Sequence, residues 1–306
     1  MKRITILFPT IIASAAMLLS IQLQARSSAG DLSSLRTALD SISASYPAEI
    51  GVALLSPDGD TVVVNNEDKY PLMSVFKLHQ AIALCKQFDE TGTSSDTLLT
   101  IRRDGLNLKT WSPMLDQYKG DTISVTARQL LCYTLTLSDN NASNYLFSTF
   151  QTVDSTDKVI SEFIPRSSFR LAVTEDEMFY NHTLCHRNHS SPLGAAMLMN
   201  RLFTDSAFNT ANYEFVRTML RECRTGAERI AAPFAGRVNV IIAHKTGSGF
   251  RTDDGILSAQ NDVARITLPD GRSYVLCVLV KDFHGTDAEA STAIAAISAT
   301  VLRAIE

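Results

Sequence analysis

Ser74-Val75-Phe76-Lys77-Leu78 lies where the hydrophobic pattern of this 306-residue chain changes period. Upstream, Leu32, Leu35, Leu39, Ile42 and Tyr46 recur at steps of three and four, as in an amphipathic helix. Ile50 to Leu55 and Thr61 to Val64 read as strands joined by a Ser56-Pro57-Asp58-Gly59 turn. Downstream, helical patterns run through residues 74–90, 126–150, 157–163, 192–203 and 211–224. Strand patterns return over 238–243, 256–268 and 273–280, with Pro269-Asp270-Gly271-Arg272 as a turn, and an alanine-rich helical stretch occupies 288–305. This order predicts an α/β (α+β) fold with two lobes in one catalytic domain over residues 30–306. An antiparallel sheet flanked by helices takes about 30–70 and 225–306, and an all-helical lobe takes about 71–224. The motifs discussed next would meet at the seam between the lobes, a common place for a ligand cleft.

The first residues read as a targeting segment. Met1-Lys2-Arg3 supplies the positive start, Ile4 to Ser20 is apolar or small, and small residues around Ala25 and Ala29 suit cleavage. A signal peptide over residues 1–29 is therefore expected. The run is almost long enough for an uncleaved anchor, but no basic stop-transfer cluster follows it. The expected location is periplasmic or secreted, without stable membrane association after cleavage. Net charge is −4 and no dense Lys/Arg run occurs, which argues against nucleic-acid and anionic-membrane partners. A small-molecule substrate and a monomer are expected, with no cofactor. The five cysteines form no CxxC or Cys/His ligand spacing, so zinc is not indicated. Cys85 and Cys132 read as buried free thiols, although an oxidising compartment would also permit a bridge between them.

Three motifs carry the chemistry. Ser74 and Lys77 fall on one face of a helix beginning after Pro71 and Met73, where the helix dipole favours negative charge near the serine. Apolar neighbours of Lys77 would lower its pKa and let it accept a proton. A Ser-x-x-Lys match alone also describes a solvated helix face. Ser138-Asp139-Asn140 follows the apolar run Leu130 to Leu135, where Asp139 or Asn140 reads structurally as a helix cap. Functionally, Ser138 would relay a proton to a leaving nitrogen and Asn140 would donate its amide to a substrate side chain. Lys245-Thr246-Gly247-Ser248-Gly249 reads as the exit of the apolar strand Val240 to Ala243. There Lys245 and Thr246 would bind a carboxylate, and the strand edge would offer a backbone N–H to an oxyanion.

These motifs in this order resemble the class A serine β-lactamases over essentially the whole chain beyond the signal segment. Trp111-Ser112-Pro113, the stretch Ser138 to Asn144, and Ala243-His244-Lys245-Thr246-Gly247-Ser248-Gly249 resemble in particular the CfxA-like branch of Bacteroides-type enzymes. The resemblance implies hydrolysis of the β-lactam amide through a Ser74 acyl-enzyme, preference for cephalosporins, and antibiotic resistance. It implies an oxyanion hole from the Ser74 and Ser248 backbone N–H groups, and Lys77 assisting Ser74. Trp111 resembles an aromatic gatekeeper, Arg229 the arginine that supports the carboxylate site, and Asn144 a structural tie to the loop of the water-activating glutamate.

That glutamate separates turnover from simple trapping of the drug. Val173-Thr174-Glu175-Asp176-Glu177-Met178-Phe179 offers two candidates, although a run of acids also reads as a solvated loop. Aligning Met178 with the methionine of this branch selects Glu175, whereas the commoner pattern of glutamate followed by asparagine selects Glu177 with Asn181. Glu175 is the preferred reading. It leaves Phe179 at the usual asparagine position and Val173 where an arginine usually stands, so the loop departs from the family pattern. A cell-wall D,D-peptidase and a penicillin-sensing receptor domain are the competing activities, and both lack the need for such a base.

Overall fold

The computed structural model describes residues 31–67 and 69–306; the expected signal peptide lies outside them. Helix α1 spans residues 31–44 and leads into strands β1 (Glu49–Leu55) and β2 (Thr61–Val64). Gly59, at φ +90°, closes the hairpin between them, a conformation that glycine adopts without Cβ strain. A short strand β3 (Tyr70–Pro71) precedes the turn that carries Ser74. Helix α2 (Phe76–Thr91), the β4 (Leu98–Arg102) and β5 (Thr122–Thr126) hairpin, and helices α3 (Pro113–Gln117), α4 (Ala127–Thr136), α5 (Asn140–Thr149) and α6 (Val153–Ile160) follow. Strands β6 (Phe169–Arg170) and β7 (His189–Ser190) flank helix α7 (Glu175–Tyr180), and α8 (Pro192–Thr204) and α9 (Ala211–Arg221) complete the helical part. Strands β8 (Ile241–Ser248), β9 (Leu257–Thr267) and β10 (Ser273–Phe283) return to the sheet before helix α10 (Asp287–Ile305).

The main sheet is antiparallel in the order β2-β1-β10-β9-β8, which leaves β8 at an edge. Strand β10 explains why its sequence reads as unbroken hydrophobic residues. Val275, Cys277 and Leu279 face the helical core, whereas Tyr274, Leu276, Val278 and Val280 face α1 and α10. Each such side chain contributes about 1.5–3 kcal/mol of burial, so both faces of this strand anchor the two layers. On α10, Ile294, Ile297 and Val301 repeat at helical spacing and pack on the second face.

Three expectations need correction. The middle of the chain is not purely helical: β4 pairs with β5, and β3, β7 and β6 form a small second ribbon. These strands are short, and periodicity alone does not distinguish such runs from turns of helix. The helical pattern over residues 126–150 is two helices, α4 and α5, broken at Leu137–Asp139 where Ser138 takes φ +58°. Lys245-Thr246-Gly247 lies inside β8 rather than beyond its end, because an edge strand tolerates polar residues that face a cleft. All five cysteines are free, including Cys85 and Cys132.

Candidate active site

Ser74 sits in a 3-10 turn (Met73–Val75) just before α2, which begins at Phe76 rather than at Ser74 as the helical pattern implied. Met73 is held at φ +46°, an unusual value for a non-glycine residue that turns the chain sharply toward β8. There Gly247 is required for close approach, since a Cβ would come within 2.5 Å of Leu72 O and 3.2 Å of Ser74 N. The edge of β8 is thus packed directly on the backbone that presents the serine.

The first ten residues of α2, Phe76 to Cys85, are all buried, which places Lys77 on a helical segment with no solvated side. Its ammonium contacts Ser74 Oγ at 3.1 Å, Ser138 O at 2.7 Å, Asn140 Oδ1 at 2.6 Å and Glu175 Oε1 at 2.8 Å. Burial lowers the Lys77 pKa from its ordinary value, and Glu175 opposes that shift. Ser74 Oγ donates to the same Glu175 oxygen at 2.8 Å.

Asp139 builds the second wall. As the buried N-cap of α5 it accepts from Ala142 N at 2.9 Å and Met114 N at 2.7 Å, and from Ser112 Oγ. The structural reading of this residue therefore holds, and the cap orients its neighbours. Ser138 Oγ receives a hydrogen bond from Lys245 Nζ at 3.0 Å and lies 3.5 Å from Lys77 Nζ. Asn140 Nδ2 donates to Thr110 Oγ1 at 2.8 Å. Trp111 is 62% exposed at the rim, its indole N–H donating to Leu137 O at 2.8 Å.

On the β8 side Lys245 is fully buried, and burial draws its pKa down to about 7. Arg229 reaches in from the segment after α9, donating to Gly247 O at 3.1 Å, Asn261 O at 2.9 Å and Ser248 Oγ at 2.7 Å. A cavity of about 400 Å³ opens over these groups. Ser74, Trp111, Ser138, Asn140, Glu175, Arg229, Thr246 and Ser248 line it, with Lys77 and Lys245 buried beneath. Among the described residues no His, Cys, Asp and Glu grouping could hold a metal ion.

Residues 34–305 match the beta-lactamase enzyme family. The chain belongs to this family. It is 53% identical over 267 residues to a β-lactamase of Phocaeicola vulgatus, covering 87% of this chain and 83% of that one. It is 29% identical to the extended-spectrum β-lactamase PER-1 of Pseudomonas aeruginosa, over 89% of this chain and 87% of that one. Among solved structures, a class A β-lactamase of Bacteroides cellulosilyticus superposes with a TM-score of 0.83 at 30% identity, covering 90% of this chain and 98% of that one. TLA-1, an extended-spectrum β-lactamase, gives a TM-score of 0.85 at 27% identity, covering 90% and 99%. The protein is thus a class A serine β-lactamase, a hydrolase of the β-lactam amide, rather than a D,D-peptidase or a receptor domain.

Within this β-lactamase the two acidic candidates occupy different surroundings. Glu175 is the first residue of α7 and its buried carboxylate meets Ser74 and Lys77. Glu177 is exposed and turns back to accept from Thr174 N at 2.7 Å, closing a capping box. Asn144 Oδ1 accepts from Asp176 N at 3.4 Å, so α5 does touch the segment that carries Glu175. Several cleft residues had no signal in the sequence. Thr225 lines the cavity with its hydroxyl 2.6 Å from Thr246 Oγ1. Phe250 also lines it and stacks on His182 at 3.8 Å between ring centroids. Both act through partners distant in the chain, and neither belongs to a local motif.

Proposed function

We propose that this β-lactamase works through a Ser74 acyl-enzyme released by Glu175-activated water. The observation that carries this reading is the shared position of Ser74 Oγ, between Lys77 Nζ at 3.1 Å and Glu175 Oε1 at 2.8 Å. In acylation, Ser74 Oγ attacks the lactam carbonyl as its proton passes to the Lys77–Glu175 pair. The Ser74 and Ser248 backbone N–H groups stabilise the oxyanion, and the packing of Gly247 against Ser74 supports their pairing. The C–N bond then breaks, and Ser138 passes a proton to the departing nitrogen, resupplied from the lysines on either side of its hydroxyl.

Acylation prepares the second step. As an ester oxygen, Ser74 Oγ has no proton left to donate, so Glu175 Oε1 becomes free to accept one from water. That water attacks the ester carbonyl, the bond to Ser74 Oγ breaks, and the serine regains its proton. Lys245, Thr246 and Arg229 hold the substrate carboxylate, Asn140 holds its side-chain amide, and Trp111 walls the entrance. Preference for cephalosporins follows from the motif resemblance to the CfxA-like branch. The enzyme is exported through its N-terminal segment and acts as a monomer.

Purified enzyme tests the scheme with a chromogenic cephalosporin and intact-mass measurement of the acyl adduct. Sustained turnover by the native chain, together with an accumulated adduct in Glu175→Gln, is the expected result. An adduct that forms on Ser74→Ala would overturn it. A higher kcat/KM for benzylpenicillin than for a first-generation cephalosporin would overturn the stated preference.

A further inference from the structure

Behind the Thr246 wall of the cleft lies a second cavity, of about 290 Å³. Cys223 and His244 line it, Arg221 and Arg224 border it, and Thr225 belongs to both this cavity and the cleft. The wall is made from two segments. His244 and Thr246 share a face of β8 by the two-residue period of a strand. The segment following α9 sets Cys223 beside His244 and Thr225 beside Thr246.

The contacts form two series that meet at this cavity. Asp262 on β9 accepts from Ile230 N at 3.1 Å and meets His244 Nδ1 at 3.0 Å. His244 and Cys223 line the same cavity, so the charge of the imidazole acts on the sulfur. Cys223 Sγ lies 3.4 Å from Thr225 Oγ1, which lies 2.6 Å from Thr246 Oγ1. No step proposed above uses Asp262, His244 or Cys223.

Charge singles this thiol out. Burial opposes its ionisation, but His244 and Lys245 outweigh burial and bring Cys223 down to about 7. Burial likewise disfavours a charged His244, yet Asp262 and the cysteine hold it up at about 10. By contrast, Cys85, Cys185 and Cys277 are buried, and burial pushes each of those thiols up.

We propose that Cys223 is a covalent modification site, whose thiolate reacts with small carboxylate-bearing disulfides entering this cavity and whose adduct separates Thr225 from Thr246. In the exchange, Cys223 Sγ bonds to one sulfur of the incoming disulfide and the original S–S bond breaks. The second sulfur leaves as a thiolate and takes a proton from water, so the oxidation state is carried by the reagent. Arg224 and Arg221 at the cavity favour a reagent with carboxylates. Modification itself is independent of the catalytic scheme, whereas its effect on turnover rests on the proposed role of Thr246.

Purified full-length enzyme incubated with oxidised glutathione near neutral pH tests this, with peptide mapping by mass spectrometry and cephalosporin turnover followed in parallel. One reductant-reversible adduct at Cys223 is expected, with KM raised on the order of tenfold and kcat changed less. Cys223→Ala should gain no adduct and keep its KM in the presence of the disulfide. His244→Gln keeps the thiol but should slow the adduct on the order of tenfold at pH 7. Reaction first at another cysteine, or none at Cys223 in enzyme that turns over normally, would overturn the site. An adduct at Cys223 that leaves KM unchanged would overturn its link to the cleft. Failure of the serine scheme would instead show as lost turnover in unmodified enzyme, with the mass readout unaffected.

Discussion

Lys77 Nζ and Glu175 Oε1 meet at 2.8 Å with both side chains removed from solvent. The pair couples the element that presents the proposed nucleophile, Ser74, to the segment that presents the proposed base. Burial opposes the lysine charge and the carboxylate supports it, and Glu175 Oε1, which already accepts from Ser74 Oγ, stands where the proton that Ser74 is proposed to lose would go.

Replacing Glu175 by Gln keeps the shape but removes the base. Deacylation should fall by about 10²–10⁴-fold, the usual contribution of a general base, while acylation persists at a reduced rate. Rapid-quench mass spectrometry would show the adduct building up. Glu177→Ala should turn over normally and lose only about 0.3–1.5 kcal/mol of stability with its capping box. If the adduct instead accumulates in Glu177→Ala, with normal release in Glu175→Gln, the two assignments are reversed.

The buried Lys245 predicts a pH limb. Its ammonium binds the substrate carboxylate in the proposed scheme, and burial draws its pKa down to about 7. Below that value the residue is charged; above it the charge is lost. Hence kcat/KM should decline as pH rises through about 7, chiefly through KM. Lys245→Arg, permanently charged, should remove the limb even if its absolute rate is lower. A limb that survives this substitution assigns it to another group. Stability moves the opposite way: the unfolded chain keeps this proton up to an ordinary lysine pKa whereas the folded chain loses it near 7, so this group's contribution to stability rises as pH climbs from about 7.

Arg229 should matter for both binding and folding. Truncation to Ala removes the donor to the buried Gly247 O and Asn261 O, where a buried group left without a partner costs about 1–3 kcal/mol, and frees the more exposed Ser248 Oγ to water. We expect a lower Tm and a rise in KM larger than the fall in kcat. Thermal melts and steady-state kinetics on the same preparation separate these effects; an unchanged KM would remove Arg229 from the carboxylate site.

The His182–Phe250 stack joins the segment after α7 to the turn after β8, with Phe250 lining the cleft. Phe250→Ala should forfeit about 0.5–1.5 kcal/mol of ring pairing and widen the cavity. Relative kcat/KM should then move toward cephalosporins with bulky side chains. A ratio that stays constant across a side-chain size series would show that the stack does not limit substrate size.

Much of this enzyme was legible because its information is local. The β1–β2 and β9–β10 hairpins follow from turn residues between alternating runs, and the capping role of Asp139 follows from an aspartate placed after an apolar helical run. Ser74 and Lys77 needed only helical spacing, and the order of the motifs indicated the family. The strands β4 to β7 were not legible, since short pairings draw their stability from partners far along the chain.

The acidic segment shows the boundary most clearly. Sequence alone determined that Glu175 and Glu177 stand on one short stretch beside a capping threonine. It could not decide which faces the nucleophile, because residues two apart on a helix project roughly 200° from each other. Tertiary packing decided the orientation, turning Glu175 inward to Ser74 and Lys77 and leaving Glu177 at the solvent side as a cap. The same holds for Thr225, Arg229 and Phe250, which reach the cleft only because the fold closes the segments after α9 and β8 around it.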